Sequence, residues 1–455
     1  MSVKNFDVVI IGGGPAGIIT GVTGKKQYPD KSFLLLMEEA KGLVPCGIPY
    51  VFHDVGDVDK NLMGPKPFVD AGGEVLVEKV ESVNPKNHEV VLANGDIVKY
   101  EKLVFATGSL PSIPRFIKGY DLDGVEYIKK SYNTIKALKE KTDVAKNIVV
   151  VGGGFIGVEM AEQLARDPER NVSLIEMEKY CLYRAFSEDA CVLAEEKIKE
   201  AGVNLHTSTK VQEVKGNGKV EKVVLSDGTE LDADIVIMAI GYKPRIEIAW
   251  DAGIKLNEWK AICVDNYLRT SEPDVFAVGD CSGTKGFITG NDNNVMLAST
   301  ATAEARVLGY NLFSIRLKRN IMGTLSVFST DLRGKVFASA GAIEQVAKSA
   351  GIEYVVGKFI DIDRHPGAFS DTSELRVKLI VSPIDGIIIG GEICGGKSAG
   401  ELINVIGLAI QKSVTVFEMI SFQIGTHPLL TGAPTKYALV KAAELAVMNM
   451  KKYNS

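Results

Sequence analysis

Phe6-Asp7-Val8-Val9-Ile10-Ile11 runs directly into Gly12-Gly13-Gly14-Pro15-Ala16-Gly17, and Ile18 to Gln27 follows with helical character. The order is strand, glycine-rich turn, helix. Gly12 permits the tight turn, Gly14 lets backbone N–H groups approach a pyrophosphate at the positive helix end, and Gly17 allows close packing of helix on strand. A second strand, Ser32 to Met37, ends at Glu38, an acid placed to bind ribose hydroxyls. The unit recurs as Asn147 to Val151, Gly152-Gly153-Gly154-Phe155-Ile156-Gly157, a helical Val158 to Arg166, then Asn171 to Ile175 and Glu176. Two dinucleotides are implied.

Composition sets the frame around these units. The 455 residues exceed a single core, and about three domains are expected at ~150 residues each. A hydrophobic fraction of 46% with 24% charged residues excludes intrinsic disorder and collagen-like repeats. The 52 Lys+Arg against 57 Asp+Glu give a net charge of -5 with no basic run, so nucleic acid is not an expected partner. No apolar run reaches the ~20 residues of a membrane span and no signal peptide pattern opens the chain, so a cytoplasmic location without membrane association is expected. Cys46, Cys181, Cys191, Cys263, Cys281 and Cys394 show no CxxC spacing, so neither a metal site nor a disulfide framework is indicated.

A chain holding two such cofactors most naturally passes hydride or electrons between them. Glu176 would repel the extra phosphate of NADP, which favours NADH, while Lys179 and Arg184 keep NADPH open. Three further buried strands end in glycine: Lys102 to Phe105 before Ala106-Thr107-Gly108, Asp234 to Ala239 before Ile240-Gly241, and Asp274 to Val278 before Gly279-Asp280.

The order GGGPAG with Glu38, ATG, GGGFIG with Glu176, and VGD resembles the two-dinucleotide-binding flavoprotein reductases along the whole chain. The resemblance implies an α/β fold of two Rossmann-like dinucleotide-binding domains plus a C-terminal α/β dimerisation domain. It implies a discontinuous FAD domain over 1–117 and 246–321, an NAD(P)H domain over 118–245, and dimerisation through 322–455. FAD would contact Gly12, Gly14, Pro15, Ala16, Gly17, Glu38, Ala106, Thr107, Gly108 and, through its ribityl chain, Asp280. NAD(P)H would contact Gly152, Gly154, Ile156, Gly157, Glu176 and Gly241. Cys281 reads as a small buried residue. The C-terminal stretch carries strand-like segments at Lys335 to Ser339, Val355 to Ile360, Arg376 to Val381 and Ile387 to Glu392, then helices at Ala399 to Lys412 and Thr435 to Met450.

Pro45-Cys46-Gly47-Ile48-Pro49-Tyr50 resembles the motif of the family's single-cysteine branch, which includes coenzyme A disulfide reductases, NAD(P)H persulfide and polysulfide reductases, NADH oxidases and NADH peroxidases. Dithiol members carry a second cysteine five positions away, where this chain has Lys41 and Val51. Cys46 therefore acts alone, as a thiolate whose pKa a helical turn would lower. Oxidase and peroxidase members are known for a histidine in the first glycine-rich turn; here Pro15 stands there, and Gly12 to Gly17 holds no titratable group.

Lys25 and Lys26 stand where coenzyme A disulfide reductases carry a basic pair. They are candidate substrate ligands, and equally ordinary charges at a helix C-terminus. A tyrosine-bearing segment of the family is replaced by Gly425-Thr426-His427-Pro428, whose His-Pro resembles that of glutathione-reductase-type enzymes. His427 is thus the candidate general acid, supplied across a homodimer, although Gly432 replaces the glutamate that usually supports it. The chain ends at Ser455, so the rhodanese domain fused to some persulfide reductases is not expected. The reading is an FAD-containing reductase passing hydride from NAD(P)H to Cys46, acting on coenzyme A disulfide, coenzyme A persulfide or polysulfide. The alternatives are an NADH oxidase and an electron-transfer flavoprotein serving a rubredoxin-like partner.

Overall fold

Val8, Val9 and Ile10 are fully buried because the strand Val3–Ile11 lies in the parallel part of a mixed sheet and is covered on both faces. It pairs in parallel with Phe33–Met37, Ile11 facing Leu36, and with Ile97–Phe105, Ile11 facing Phe105. Glu74–Val77 extends the sheet beyond Phe33–Met37, and Val275–Ala277 joins parallel to Ile97–Phe105, Ala277 facing Phe105. One face is covered by Pro15–Gln27 and Ala298–Asn311. These helices approach closely because Gly309 faces Thr23: a Cβ there would lie 2.6 Å from the threonine Cβ.

The computed structural model describes residues 2–293, 295–319 and 323–453. The chain forms two units: Met1–Arg115, Glu126–Ala145 and Ile240–Thr324 in one, and Phe116–Val125, Lys146–Ala239 and Leu325–Ser455 in the other. The expected boundary at 321/322 lies outside the described residues.

In the second unit, Asn147–Val151 pairs in parallel with Asn171–Ile175 and Ile235–Met238, Val151 facing Ile175 and Met238. Asn204–His206 continues this sheet. A separate antiparallel sheet orders Val327–Leu332, Lys335–Gly341, Ile388–Gly395, Glu374–Val381 and Val355–Ile362, accompanied by helices Ala399–Gln411 and Ala438–Tyr453. A buried ionic network ties the two parts of this unit together. Lys378 lies 2.7 Å from Asp189, 3.0 Å from Glu344 and 3.3 Å from Glu392, and Glu392 also accepts from the Ser187 backbone N–H at 2.5 Å. Burial works against charge on Lys378, but Glu392, Asp189 and Glu344 outweigh it and hold the ammonium above its usual range.

Three helix starts depart from the sequence reading for local reasons. Pro15–Gln27 and Phe155–Leu164 begin immediately after their capping glycines, Gly14 and Gly154, rather than three residues later; Pro15 at the first helical position needs no N–H partner. The last helix starts at Ala438 instead of Thr435, because Pro434–Lys436 forms a separate tight turn.

Candidate active site

Because Ile11, Leu36, Phe105 and Ala277 are level in the first sheet, the segments that follow them leave from the same edge. The turn Gly12 to Gly17, Glu38, Ala106 to Gly108, and Gly279 to Asp280 are thereby gathered at the carboxyl ends of parallel strands, where open α/β sheets bind ligands. Gly12 has φ +120°, and a Cβ there would lie 2.1 Å from the Ala106 carbonyl oxygen. A Cβ on Gly17 would lie 1.9 Å from the Gly12 oxygen, whereas one on Gly14 would meet nothing within 4 Å. Two glycines are thus needed for packing, and the third opens the helix N-terminus, with its unpaired first-turn N–H groups, to an anion. Pro15 begins that helix and Ala16 is buried beside it.

The polar groups around this edge are already held in place. Glu38 accepts from Arg245 Nη1 at 2.7 Å, and this hydrogen bond is the main reason its carboxyl lies below the usual range. Thr107 donates to the Arg245 carbonyl at 2.6 Å, and the Arg245 N–H donates to Gly108 at 2.9 Å. Asp280 Oδ2 accepts from Ser109 Oγ and Lys130 Nζ, both at 2.7 Å. Lys130 also sits 4.6 Å from the centre of the Tyr242 ring. Cys281 is fully buried, as expected.

Cys46 lies in the same unit, on the three-residue 3₁₀ turn Pro45–Gly47. It is exposed, while Ile48 and Pro49 after it are buried and anchor the turn. The turn is shorter than an α-helix, so the dipole available to the thiol is that of a few peptides only. Cys181, Cys191, Cys281 and Cys394 are buried, and burial raises each of their thiols.

The second unit repeats the arrangement. Gly152 has φ +107°, a Cβ on Gly157 would lie 1.8 Å from the Gly152 oxygen, and one on Gly154 would meet nothing within 4 Å. Ile156 is half-buried in the helix that follows. Both carboxylate oxygens of Glu176 are oriented by backbone donors, Gly153 at 2.6 Å and Glu178 at 2.7 Å. The cations that left NADPH open both have acidic neighbours: Arg184 is 3.1 Å from Glu178 and Lys179 is 3.2 Å from Glu188. Gly241, with φ +101°, clusters with the first unit.

His427 is in the second unit, in an exposed turn. Its Nδ1 lies 3.2 Å from the Leu429 backbone N. Its backbone N–H donates to Thr431 Oγ1 at 3.0 Å, a bond to the main chain and not to the ring. Lys25 donates to the carbonyls of Pro29 and Lys31, each at 2.7 Å, so its ammonium closes the end of its own helix; Lys26 is exposed.

Sequence reasoning missed Arg245, Lys130 and Glu159. Glu159, on the helix after the second turn, donates nothing when ionised and accepts from Thr330 at 2.7 Å; burial raises its carboxyl to about 7 against that hydrogen bond. Among the described residues no cluster of His, Cys, Asp and Glu is suited to a metal ion, and no helix is long and apolar enough to cross a membrane.

Known proteins share this arrangement. Residues 6–305 match the family described as pyridine nucleotide-disulphide oxidoreductase, and residues 334–438 match that family's dimerisation domain. A Pyrococcus horikoshii protein named NAD(P)H coenzyme A polysulfide/persulfide reductase is 32% identical over 85% of this chain and 87% of its own. A Methanocaldococcus jannaschii NADH oxidase is 30% identical over 92% of this chain and 94% of its own. The structure of a NAD-dependent persulfide reductase from A. fulgidus aligns with TM-score 0.89 and 29% identity, covering 99% of this chain and 84% of that one. The α/β fold, the two dinucleotide units and the dimerisation domain are those expected, and the chain belongs to the FAD- and NAD(P)H-dependent pyridine nucleotide-disulphide oxidoreductases.

Proposed function

We propose that this protein is a single-cysteine reductase that uses NADH to reduce coenzyme A disulfide, coenzyme A persulfide or polysulfide at Cys46. The observation that carries the reading is the exposed Cys46 on an anchored turn, in the unit whose strand ends also gather Gly12 to Gly17, Glu38 and Asp280. The relatives named as coenzyme A-dependent sulfur reductases point to the same substrate class.

FAD bound at the first glycine turn supplies the conversion of a two-electron hydride into reduction of an S–S bond. Gly14 leaves room for its pyrophosphate, Glu38 would accept from ribose hydroxyls, and Asp280 from the ribityl chain. The second turn and Glu176 would hold NADH. Reduction of the mixed disulfide Cys46–S–S–R by two electrons leaves the Cys46 thiolate and RS⁻. The thiolate then attacks a sulfur of RSSR, forming a new Cys46–S–S–R bond, and the displaced RS⁻ takes a proton to become RSH.

Protonation is assigned to the imidazolium form of His427 of a second subunit, whose Nε2–H gives its proton to RS⁻ and leaves the neutral ring. The dimerisation-domain match includes His427, and Phe417, Phe422, Leu429 and Leu430, close to it in sequence, are 46 to 69% exposed, apolar surface that a homodimer would cover. Lys26 is offered as a contact for the coenzyme A nucleotide, with Lys25 supporting the helix end. The proposed partition places FAD on 1–117 and 246–321, NAD(P)H on 118–245 and dimerisation on 322–455.

The NADH oxidase relatives favour a second reading in which oxygen takes the electrons. Steady-state assays of the purified protein with coenzyme A disulfide, coenzyme A persulfide, polysulfide and oxygen test both. The proposal expects a sulfur substrate to give the highest kcat/KM; oxygen as the best acceptor would overturn it.

A further inference from the structure

Asn61 is 15 residues beyond Cys46 in sequence, carries no charge, and is 7% exposed. The short antiparallel pair Gly42–Leu43 with Leu62–Met63 brings it beside the cysteine turn. Its backbone oxygen accepts from the Val44 N–H at 3.0 Å, and its Nδ2 donates to the Val44 carbonyl at 3.0 Å. One residue therefore satisfies both backbone polar groups of Val44, which caps the turn Pro45–Gly47. The Val44 oxygen also accepts from the Gly47 N–H at 3.0 Å, closing the turn around Cys46. On the other flank, the Asn61 Oδ1 fills the space that a side chain at residue 47 would need: a Cβ on Gly47 would lie 2.0 Å from it.

The loop bearing Asn61 is itself fixed. Asp59, two residues earlier, accepts from Lys41 and from the Tyr132 hydroxyl, both at 2.9 Å. Leucine at position 61 could fill the volume but could not donate to Val44, and aspartate would set a carboxylate against its carbonyl oxygen. We propose that Asn61 is a positioning residue for Cys46, setting the backbone on both sides of the thiol through Val44 and Gly47. The inference rests on the assignment of Cys46 as the sulfur nucleophile.

The test uses the FAD-loaded protein and the variants Asn61→Ala, Gly47→Ala and the pair together, with circular dichroism to confirm folding. Asn61→Ala should keep its FAD and its rate of flavin reduction by NADH, and lose about tenfold in kcat with the sulfur substrate, since a displacement near 1 Å at a reacting group costs up to about 100-fold. Gly47→Ala should lose more, because the new Cβ meets Oδ1, and adding Asn61→Ala should restore it to the level of Asn61→Ala alone. Iodoacetamide labelling, with exposed Cys263 as the internal reference, should show the ratio of Cys46 to Cys263 labelling altered in both single variants, more in Gly47→Ala, and returned in the pair to the value of Asn61→Ala alone. Wild-type turnover and labelling in Asn61→Ala, or a pair no better than Gly47→Ala, would overturn the inference. Retained turnover in Cys46→Ser would instead remove the assignment on which it rests, while the labelling ratio still reports whether Asn61 sets the turn.

Discussion

Arg245 reaches the acid at the end of the second strand, its Nη1 lying 2.7 Å from Glu38 Oε2, although 207 residues separate the two in sequence. Both side chains remain partly exposed, at 31% and 40%, so the pair adds less than about 1 kcal/mol to folding. Its effect is to keep the carboxylate ionised and aimed. Glu38→Gln should weaken FAD binding about tenfold or more, since charge-assisted hydrogen bonds are worth about 1.5–3 kcal/mol, and Arg245→Gln should weaken it by less. Flavin fluorescence during reconstitution of the apoprotein measures both. Unchanged affinity in Glu38→Gln would remove this acid from the ribose.

Nicotinamide choice follows from the second unit. Glu176 is oriented by two backbone donors, and Glu178 and Glu188 lie against Arg184 and Lys179. NADH should therefore give the higher kcat/KM, and Glu176→Ala should narrow the preference by about tenfold as phosphate repulsion is lifted. A wild-type preference for NADPH contradicts the assignment.

Glu159 gives the protein a pH dependence of known sign. Its folded value of about 7 stands above the ordinary 4.5, so the folded state keeps a proton that the unfolded chain has released. The stability this contributes is full below the unfolded value and is lost as pH rises from about 4.5 to about 7, by at most about 3 kcal/mol. Thermal melts between pH 5 and 7.5 should fall less steeply for Glu159→Gln than for the wild type. Parallel curves would mean that Glu159 titrates normally.

The proposed sharing of the site between subunits predicts complementation. His427→Ala should lower sulfur turnover by about 10²–10⁴-fold, the usual contribution of a general acid, while flavin reduction by NADH continues. Mixing Cys46→Ser chains with His427→Ala chains should return part of the activity through heterodimers holding one intact site. If mixed dimers form without activity and His427→Ala alone works normally, the histidine is structural.

The glycine turns were legible in sequence because geometry forces them: Gly12 and Gly17 admit no Cβ, and each turn needs a strand before it and a helix after it. The strand-end acids Glu38 and Glu176 were legible for the same reason, since period and length fix where each strand stops. Arg245, Lys130 and Asn61 were not. Each acts on a residue far away in the chain or through its backbone, and neither relation leaves a local pattern. Lys25 shows what a resemblance leaves out: it suggested a ligand contact, and the fold adds that the ammonium bonds the carbonyls of Pro29 and Lys31.

The central claim is that electrons leave through Cys46. The most direct measurement is stopped-flow spectroscopy of Cys46→Ser beside the wild type, first mixed with NADH and then with the sulfur substrate. The account predicts that the variant binds FAD and bleaches its flavin absorbance with NADH at the wild-type rate, then fails to reoxidise with disulfide or persulfide. Reoxidation of the variant by the sulfur substrate at the wild-type rate would contradict it.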